Sequence, residues 1–309
     1  MEKNLELSDA SLINQLITIL NPAGGNTFFV DGVNGSATNN GLAPDAPLLT
    51  IKAALALCAD GNKDHIYVLD YPSTGGVSGE DEPIVVNKTW VTIEGIGKEG
   101  IGGANETQVG PSGDTAIFDV TANYVTLKHM TLFGGASYGA IVCSGASAHA
   151  LSVLDCTFTP WGTSGYGIYG RPQPGGNSFP RLIVERCKFG SSAALGVITN
   201  NGIYIGLNAG GGLIKDCVFD GITGVAINIG TACGPSLQIL NNIIRCGSDA
   251  KGKAITIANG SSDNIVDGNH AFFGKDAMST VPYIDDAGAD DNHWGINYYD
   301  IRAIMPTTT

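Results

Sequence analysis

From residue 116 to residue 272 the chain breaks into short stretches in which apolar and polar side chains alternate with a period of two, as in "ALSVLDCTFT", "RLIVERCKFG" and "GLIKDCVFDG". That period belongs to strands with one buried face and not to helices. The stretches are also alike in detail. Cys156, Cys187 and Cys217 occupy one position, each with an aliphatic residue three before it and a phenylalanine two after it. Met130 fills the same position upstream, and Asn242 and Asn269 fill it downstream, at successive intervals of 26, 31, 30, 25 and 27 residues. The minus-three residues are Leu127, Val153, Val184, Ile214, Ile239 and Val266, and the plus-two residues are Leu132, Phe158, Phe189, Phe219, Ile244 and Ala271.

A second series lies between members of the first: "AIFDV" from Ala116, "AIVC" from Ala140, "GIYG" from Gly167, "GIYI" from Gly202, "AINI" from Ala226 and "AITI" from Ala254. Each has a small residue, then isoleucine, then a variable residue. Two or three short strands recurring every 25–31 residues between glycine-rich turns describe one rung of a solenoid of parallel strands. Such a rung buries its inward side chains by stacking on its neighbours, so equivalent residues lie about 4.8 Å apart. Met130, Cys156, Cys187, Cys217, Asn242 and Asn269 then form one inward column, with cysteines as small buried hydrophobes and asparagines bonded to one another and to turn backbone. The long turns "TPWGTSGYG", "RPQPGGNSFPR" and "SSAALGVITNN" are insertions on this frame, where binding surfaces are usually built.

Composition fits an all-β solenoid. Glycine is abundant at 44 of 309 residues and only 15% of residues are charged. The net charge of −13 argues against binding a nucleic-acid backbone, and no uninterrupted apolar stretch is long enough for a membrane span. The first twenty residues make a poor secretory signal because Glu2, Glu6 and Asp9 interrupt them. Without a signal, the cysteines are expected to stay reduced.

The segment 28–71, "FFVDGVNGSATNNGLAPDAPLLTIKAALALCADGNKDHIYVLDY", adds a Val-Asp strand, a Gly/Asn loop, a proline, a short helix and an Ile-Tyr-Val strand. Thr50 is placed to cap the helix, Ile51, Ala54, Leu55 and Cys58 give it one apolar face, and Gly61 can end it. This pattern resembles the opening of right-handed parallel β-helix proteins of the pectate-lyase-like superfamily, and the resemblance covers about 28–274. Within that superfamily it is most like phage virion proteins: tailspikes, head spikes and fibres. The resemblance implies a homotrimer on a virion surface, assembled in the host cytoplasm and contacting host glycans. It implies a non-catalytic role, with a polysaccharide lyase or glycoside hydrolase of the tailspike depolymerase kind as the alternative.

Catalytic candidates come from aligning the rungs. The position before the column reads His129, Asp155, Arg186, Asp216 and Asn241, and the one before that includes Lys128, Glu185, Lys215 and Asp267. Asp155 and Asp216, two rungs and about 9.6 Å apart, touch the upper end of the carboxylate separation of inverting glycosidases. Glu185 is the third candidate. Alternation of charge along these rows also describes a solvated turn that avoids like charges in register. β-Elimination would call for a calcium-binding acidic cluster, and Ca²⁺ is the one cofactor considered. Asp285–Asp286 and Asp290–Asp291 read as an acidic loop, and the histidines show no metal-ligand spacing, so no metal is assigned.

In the second series the residue after the isoleucine points outward, giving Phe118, Val142, Tyr169, Tyr204, Asn228 and Thr256. Tyr169 and Tyr204 are then neighbours on an exposed sheet face, with Trp161, Tyr166 and Arg171 on the long turn beside them. These residues suit contact with a glycan and suit contact between protomers equally well. At the ends, residues 8–20 read as a short helix that caps the first rung or bundles with copies of itself. Three parts follow: 1–27 as an anchoring or capping segment, 28–274 as the solenoid, and 275–309 as a C-terminal cap or docking tail. Either end is where other virion proteins would attach.

Overall fold

The computed structural model describes residues 24–70, 83–96, 107–110, 115–134, 139–144, 148–160, 165–170, 179–190, 201–206, 210–222, 224–231, 233–246, 252–272, 282–286, 292–299 and 302–304. The helix expected at 8–20 lies outside these residues, as do Trp161, Arg171 and the Asp290–Asp291 pair. No helix among the described residues is long and apolar enough to cross a membrane.

The chain is a right-handed parallel β-solenoid whose rungs contribute strands to three sheets of ten, nine and eight described strands. One rung shows the plan: Ser152–Leu154 in the first sheet, Thr157–Pro160 in the second and Tyr166–Gly170 in the third. Neighbouring rungs pair in parallel and in register, so Val153 lies between Leu127 and Val184, and Ile168 between Ile141 and Ile203. The expected short helix is present at Ile51–Leu57, where Thr50 Oγ1 accepts from the Ala53 amide at 3.0 Å. It stops at an extended Cys58, before Gly61, whose φ of +75° serves the following turn.

The inward column runs where the first sheet turns into the second. Met130, Cys156, Cys187, Cys217, Asn242 and Asn269 are all buried, and the cysteines and asparagines share one kind of acceptor. The thiols of Cys156, Cys187 and Cys217 donate to the carbonyls of Leu127, Val153 and Val184 at 3.7, 3.4 and 3.6 Å. Asn242 Nδ2 and Asn269 Nδ2 donate to the carbonyls of Ile214 and Ile239 at 3.1 and 2.9 Å. In every case the acceptor is the residue three before the column in the preceding rung. Asparagine does more than cysteine: Asn269 Oδ1 also accepts from the Asn242 amide at 3.0 Å and from Asn242 Nδ2 at 2.9 Å. Cys58, Cys156, Cys187 and Cys217 carry no disulfide. Burial, with hydrogen bonds to Cys156 and Cys217, pushes the Cys187 thiol well up.

Around this column the phenylalanines stack face to face, Phe158 on Phe189 at 4.5 Å and Phe189 on Phe219 at 4.6 Å. Their rings account for the small residues of the second series. A Cβ added to Gly167 would come within 2.6 Å of the Phe189 ring, and one added to Gly202 within 2.7 Å of the Phe219 ring.

The corner between the first two sheets turns on a single residue just before the column. His129, Asp155, Arg186, Asp216 and Asn241 hold φ between +52° and +56° there, and Gly268 holds +69°. A left-handed non-glycine residue costs roughly 1–2 kcal/mol, and the ladder of hydrogen bonds behind each corner offsets it.

Two expectations change. Phe118 pairs with Ile141, so it is inward and fully buried, and Asp119 takes the outward position in that rung. The extra apolar residue Ile117, itself buried, shifts the reading by one. The parallel ladder also continues past residue 274, where a cap was expected. Tyr283–Asp285, His293–Trp294 and Asn297–Tyr299 add strands to all three sheets, and Arg302–Ile304 closes the second sheet in antiparallel sense. Asn297, 28 residues after Asn269, extends the inward column and donates to the Val266 carbonyl at 3.0 Å.

Replacing Asn269 by alanine removes partners from several buried backbone and amide groups at once, each costing about 1–3 kcal/mol if left unsatisfied. Asn269→Ala is expected to lower unfolding free energy by about 3 kcal/mol or more, and Cys156→Ala, which loses one weak donor, by about 1–2 kcal/mol. Urea titration of both variants measures the difference, and equal losses would contradict the bonding described here.

Candidate functional site

Outward positions of the third sheet fall into register, so the side chains of successive rungs form a row. Asp119, Val142, Tyr169, Tyr204, Asn228 and Thr256 follow one another along it. Tyr166, two residues before Ile168, projects from the same face. The tyrosine rings touch: Tyr166 and Tyr169 stack at 4.5 Å, Tyr169 and Tyr204 lie at 5.4 Å with planes tilted by 36°, and Tyr166 and Tyr204 meet edge-on at 6.3 Å. All three are partly exposed. Burial, reinforced by Tyr169 and the other tyrosine, raises the Tyr166 phenol, and burial with Tyr169 and Cys233 raises Tyr204. Both hydroxyls therefore stay protonated and able to donate at neutral pH.

The amide of Asn228 follows Tyr204 directly, so the row passes from aromatic faces to polar groups. Tyr166, Tyr169, Tyr204 and Asn228 are thus brought together as the sequence implies. Beyond Val142, Asp119 accepts from the Ser144 amide at 2.9 Å and is in close contact with the Ser144 hydroxyl. The sequence reading missed this carboxylate because the register shift at Phe118 hid it.

The carboxylates Asp155, Glu185 and Asp216 lie elsewhere, at the corner of the first and second sheets. Arg186 Nε and NH2 each donate to Asp155 at 2.8 Å, and Arg186 NH1 reaches Glu185 at 3.3 Å. The Arg186 hydrogen bonds, with its charge and against the effect of burial, hold the Asp155 carboxyl below its usual range. A general acid requires the opposite shift. Asp216 lies 3.4 Å from Lys215. These side chains form a ladder of opposite charges and not a pair flanking a substrate.

A stronger charge cluster caps that ladder. Glu94, in register with Lys128, has His65 Nε2 and Lys128 Nζ both 2.8 Å from Oε2 and His129 Nδ1 2.9 Å from Oε1. His129 Nε2 lies 3.7 Å from Asp155, joining the two groups. Burial pushes the Glu94 carboxyl up, but hydrogen bonds from His65, Lys128 and His129, with the Lys128 charge, outweigh it and bring it down to about 2. Among the described residues no three His, Cys, Asp or Glu side chains converge as metal ligands. Asp285 accepts from Asn292 Nδ2 at 3.1 Å and Trp294 Nε1 at 2.8 Å, tying the last rung together.

Residues 115–284, more than half of the chain, match the family profile described as "Right handed beta helix region". No curated protein sequence matches the chain. Among solved structures, a pectin methylesterase from Aspergillus niger is 12% identical, over 91% of this chain and 86% of that one, with a TM-score of 0.54. An alginate lyase from Paenibacillus sp. is 14% identical over 89% and 98%, with a TM-score of 0.50. The tailspike protein of the E. coli bacteriophage HK620, in complex with a pentasaccharide, is 13% identical over 97% and 60%, with a TM-score of 0.37. At these identities the likeness is one of fold.

The Glu94 cluster has a pH signature. Its folded carboxyl is depressed from the ordinary 4.5 to about 2, so its stabilisation is fully present above about pH 4.5 and is lost as pH falls towards 2. Glu94→Gln is expected to flatten the stability profile in that window relative to the parent. Urea unfolding at pH 6, 4 and 3 checks this, and parallel profiles would contradict it.

Proposed function

We propose that this chain, which belongs to the right-handed β-helix family, is a non-catalytic glycan-contacting protein of a phage particle surface, with the tyrosine row of the third sheet as its sugar-binding face. The observation that carries the sugar contact is the register of Tyr169 with Tyr204, which sets two phenol rings side by side on an open sheet, with Tyr166 against them and Asn228 following. Aromatic faces receive the C–H faces of pyranose rings, while phenol hydroxyls and a side-chain amide meet their hydroxyls. The long turns carrying Trp161 and Arg171 adjoin this face in sequence and would add to it.

The virion assignment rests on the segment 28–71, whose pattern resembles the opening of phage spike and fibre proteins. A homotrimer would cover exposed isoleucines of the last rungs, Ile243, Ile265 and Ile296, which are 44%, 39% and 60% exposed. Segment 1–27 and the end of the chain at the last rung would serve attachment to other virion proteins.

A second reading, a polysaccharide lyase or hydrolase, is favoured by Asp119, which shares the tyrosine row two rungs from Tyr169. The other described members of that row are not acidic, and hydrolysis requires two carboxylates.

Binding to host surface polysaccharides, measured on the parent, Tyr169→Ala and Tyr204→Ala, tests the proposal. Each substitution is expected to weaken binding about tenfold, or about 1.4 kcal/mol. Reducing-end and ultraviolet assays with and without calcium are expected to show no products. Cleavage abolished by Asp119→Asn would replace this reading with the enzymatic one. Light scattering is expected to give three chains per particle, and a strict monomer at micromolar concentration would refute the trimer.

A further inference from the structure

The two ends of the first sheet are finished differently. At the N-terminal end the chain itself takes up the outer edge of Thr27–Asp31. The Phe29 amide donates to the Gly41 carbonyl at 2.7 Å, the Leu48 amide to the Phe29 carbonyl at 2.8 Å and the Asp31 amide to the Leu48 carbonyl at 2.9 Å. The inward residues there, Phe28 and Val30, are 5% and 0% exposed. At the other end His293–Trp294 is the last strand, and among the described strands it pairs with Ile265–Asp267 alone. The His293 and Gly295 amides donate back to the Asn264 and Val266 carbonyls at 2.7 and 2.9 Å, so the Trp294 amide between them points away from the sheet. Trp294 continues the inward row of Ile214, Ile239 and Val266, all fully buried, yet it is itself partly exposed.

A second asparagine column leads to the same edge. The Leu237 amide donates to Asn264 Oδ1 at 3.2 Å, and the Asn264 amide donates to Asn292 Oδ1 at 3.1 Å. Each rung's amide is thus received by an asparagine one rung on, and among the described residues the Asn292 amide has no such acceptor. An open edge invites pairing, and proteins blunt it with charge, proline or a covering segment. Residues 292–297, Asn-His-Trp-Gly-Ile-Asn, contain no lysine, arginine, acidic residue or proline, and Ile296 is 60% exposed. The second sheet, by contrast, is closed at this end by the reversed strand Arg302–Ile304. A second copy cannot continue the solenoid here, because Gly41 and Leu48 already occupy the edge of its first strand. A single extended strand can.

We infer that the edge of His293–Trp294 receives a parallel strand from another protein, and that this strand carries asparagine two residues before an apolar residue. Its asparagine accepts from the Asn292 amide, its apolar side chain covers Trp294, and its backbone pairs with the Trp294 amide and carbonyl. The spacing is the one this chain uses in its own rungs, Asn264 before Val266 and Asn292 before Trp294. The inference deepens the attachment proposed for the last rung. It concerns the edge alone, so it holds whether or not the partner belongs to a virion.

Fluorescence anisotropy on the full chain tests it, with a labelled synthetic peptide of residues 262–272, Ser-Asp-Asn-Ile-Val-Asp-Gly-Asn-His-Ala-Phe, as the probe. Following the pattern of His293 and Gly295, the amide of the peptide's isoleucine donates to the Asn292 carbonyl, whereas that of its valine faces away. The parent is expected to bind the peptide saturably. N-methylation at the isoleucine is expected to weaken binding about tenfold, and N-methylation at the valine to leave it nearly unchanged. Alanine in place of the peptide's first asparagine should also weaken it about tenfold. Trp294→Pro, which removes the outward amide while keeping both bonds to the preceding rung, should abolish binding, with its melting temperature confirming the fold. The methylated pair leaves the protein untouched and decides the matter if that variant does not fold. No saturable binding to the parent, or equal weakening by the two methyl groups, would overturn the inference. Binding that appears only after deletion of residues 305–309 would assign the edge to the chain's own tail and overturn it too. So would a concentration-dependent dimer, lost in Trp294→Pro, that excludes the peptide.

Discussion

A rung of this solenoid cannot bury its own side chains. Its three short strands enclose a strip of interior about one residue deep, and the partner that covers each inward group is the equivalent group of the next rung. Everything else follows from keeping that registration. Where the chain turns from the first sheet to the second, the inward residue of each rung from Cys156 to Asn297 donates to the carbonyl of the residue three before the column in the preceding rung. Cysteine and asparagine both reach that acceptor, which is why a run of cysteines can pass into a run of asparagines in one column. The left-handed residue that precedes each of them is the conformational cost of turning so sharply, and the ladder of hydrogen bonds holds it in place.

The same registration governs the outside. Side chains one rung apart are close enough that like charges repel, so the first sheet and its corner alternate Glu94, Lys128 and His129, Asp155, and Arg186. Those carboxylates are fixed and ionised, which suits a charge ladder and not proton transfer. On the third sheet registration instead lines up ring faces, and that row of neighbouring phenols with a polar continuation is the face proposed here to receive sugars. One scaffold thus separates a self-satisfied charged corner from an open aromatic face, and the proposed function follows from that division.

Much of this was legible in the sequence. The intervals between Cys156, Cys187 and Cys217 placed the column, and the isoleucines of the second series made Tyr169 and Tyr204 neighbours. What was not legible has physical reasons. Left-handed corners are invisible when occupied by Trp90, Tyr124 or Arg186, because none of these residues favours that conformation by itself. Ile117 and Phe118 are both apolar and both buried, so alternation alone could not say which one faces its neighbour's isoleucine. The Glu94 cluster joins residues from three rungs, one of them, at His65, ahead of the first recognisable repeat. The last rung hides behind Tyr283 and Trp294, which replace the usual aliphatics, although Asn297 keeps the spacing.

Nearest-neighbour stacking is tested most directly by double-mutant cycles along the phenylalanine column. With Phe158→Leu, Phe189→Leu and Phe219→Leu combined in pairs and unfolded in urea, the account predicts coupling of about 0.5 kcal/mol or more for Phe158 with Phe189 and for Phe189 with Phe219. Phe158 with Phe219, two rungs apart, should add without coupling. Additive losses in the adjacent pairs, or coupling as large in the distant pair, would contradict it.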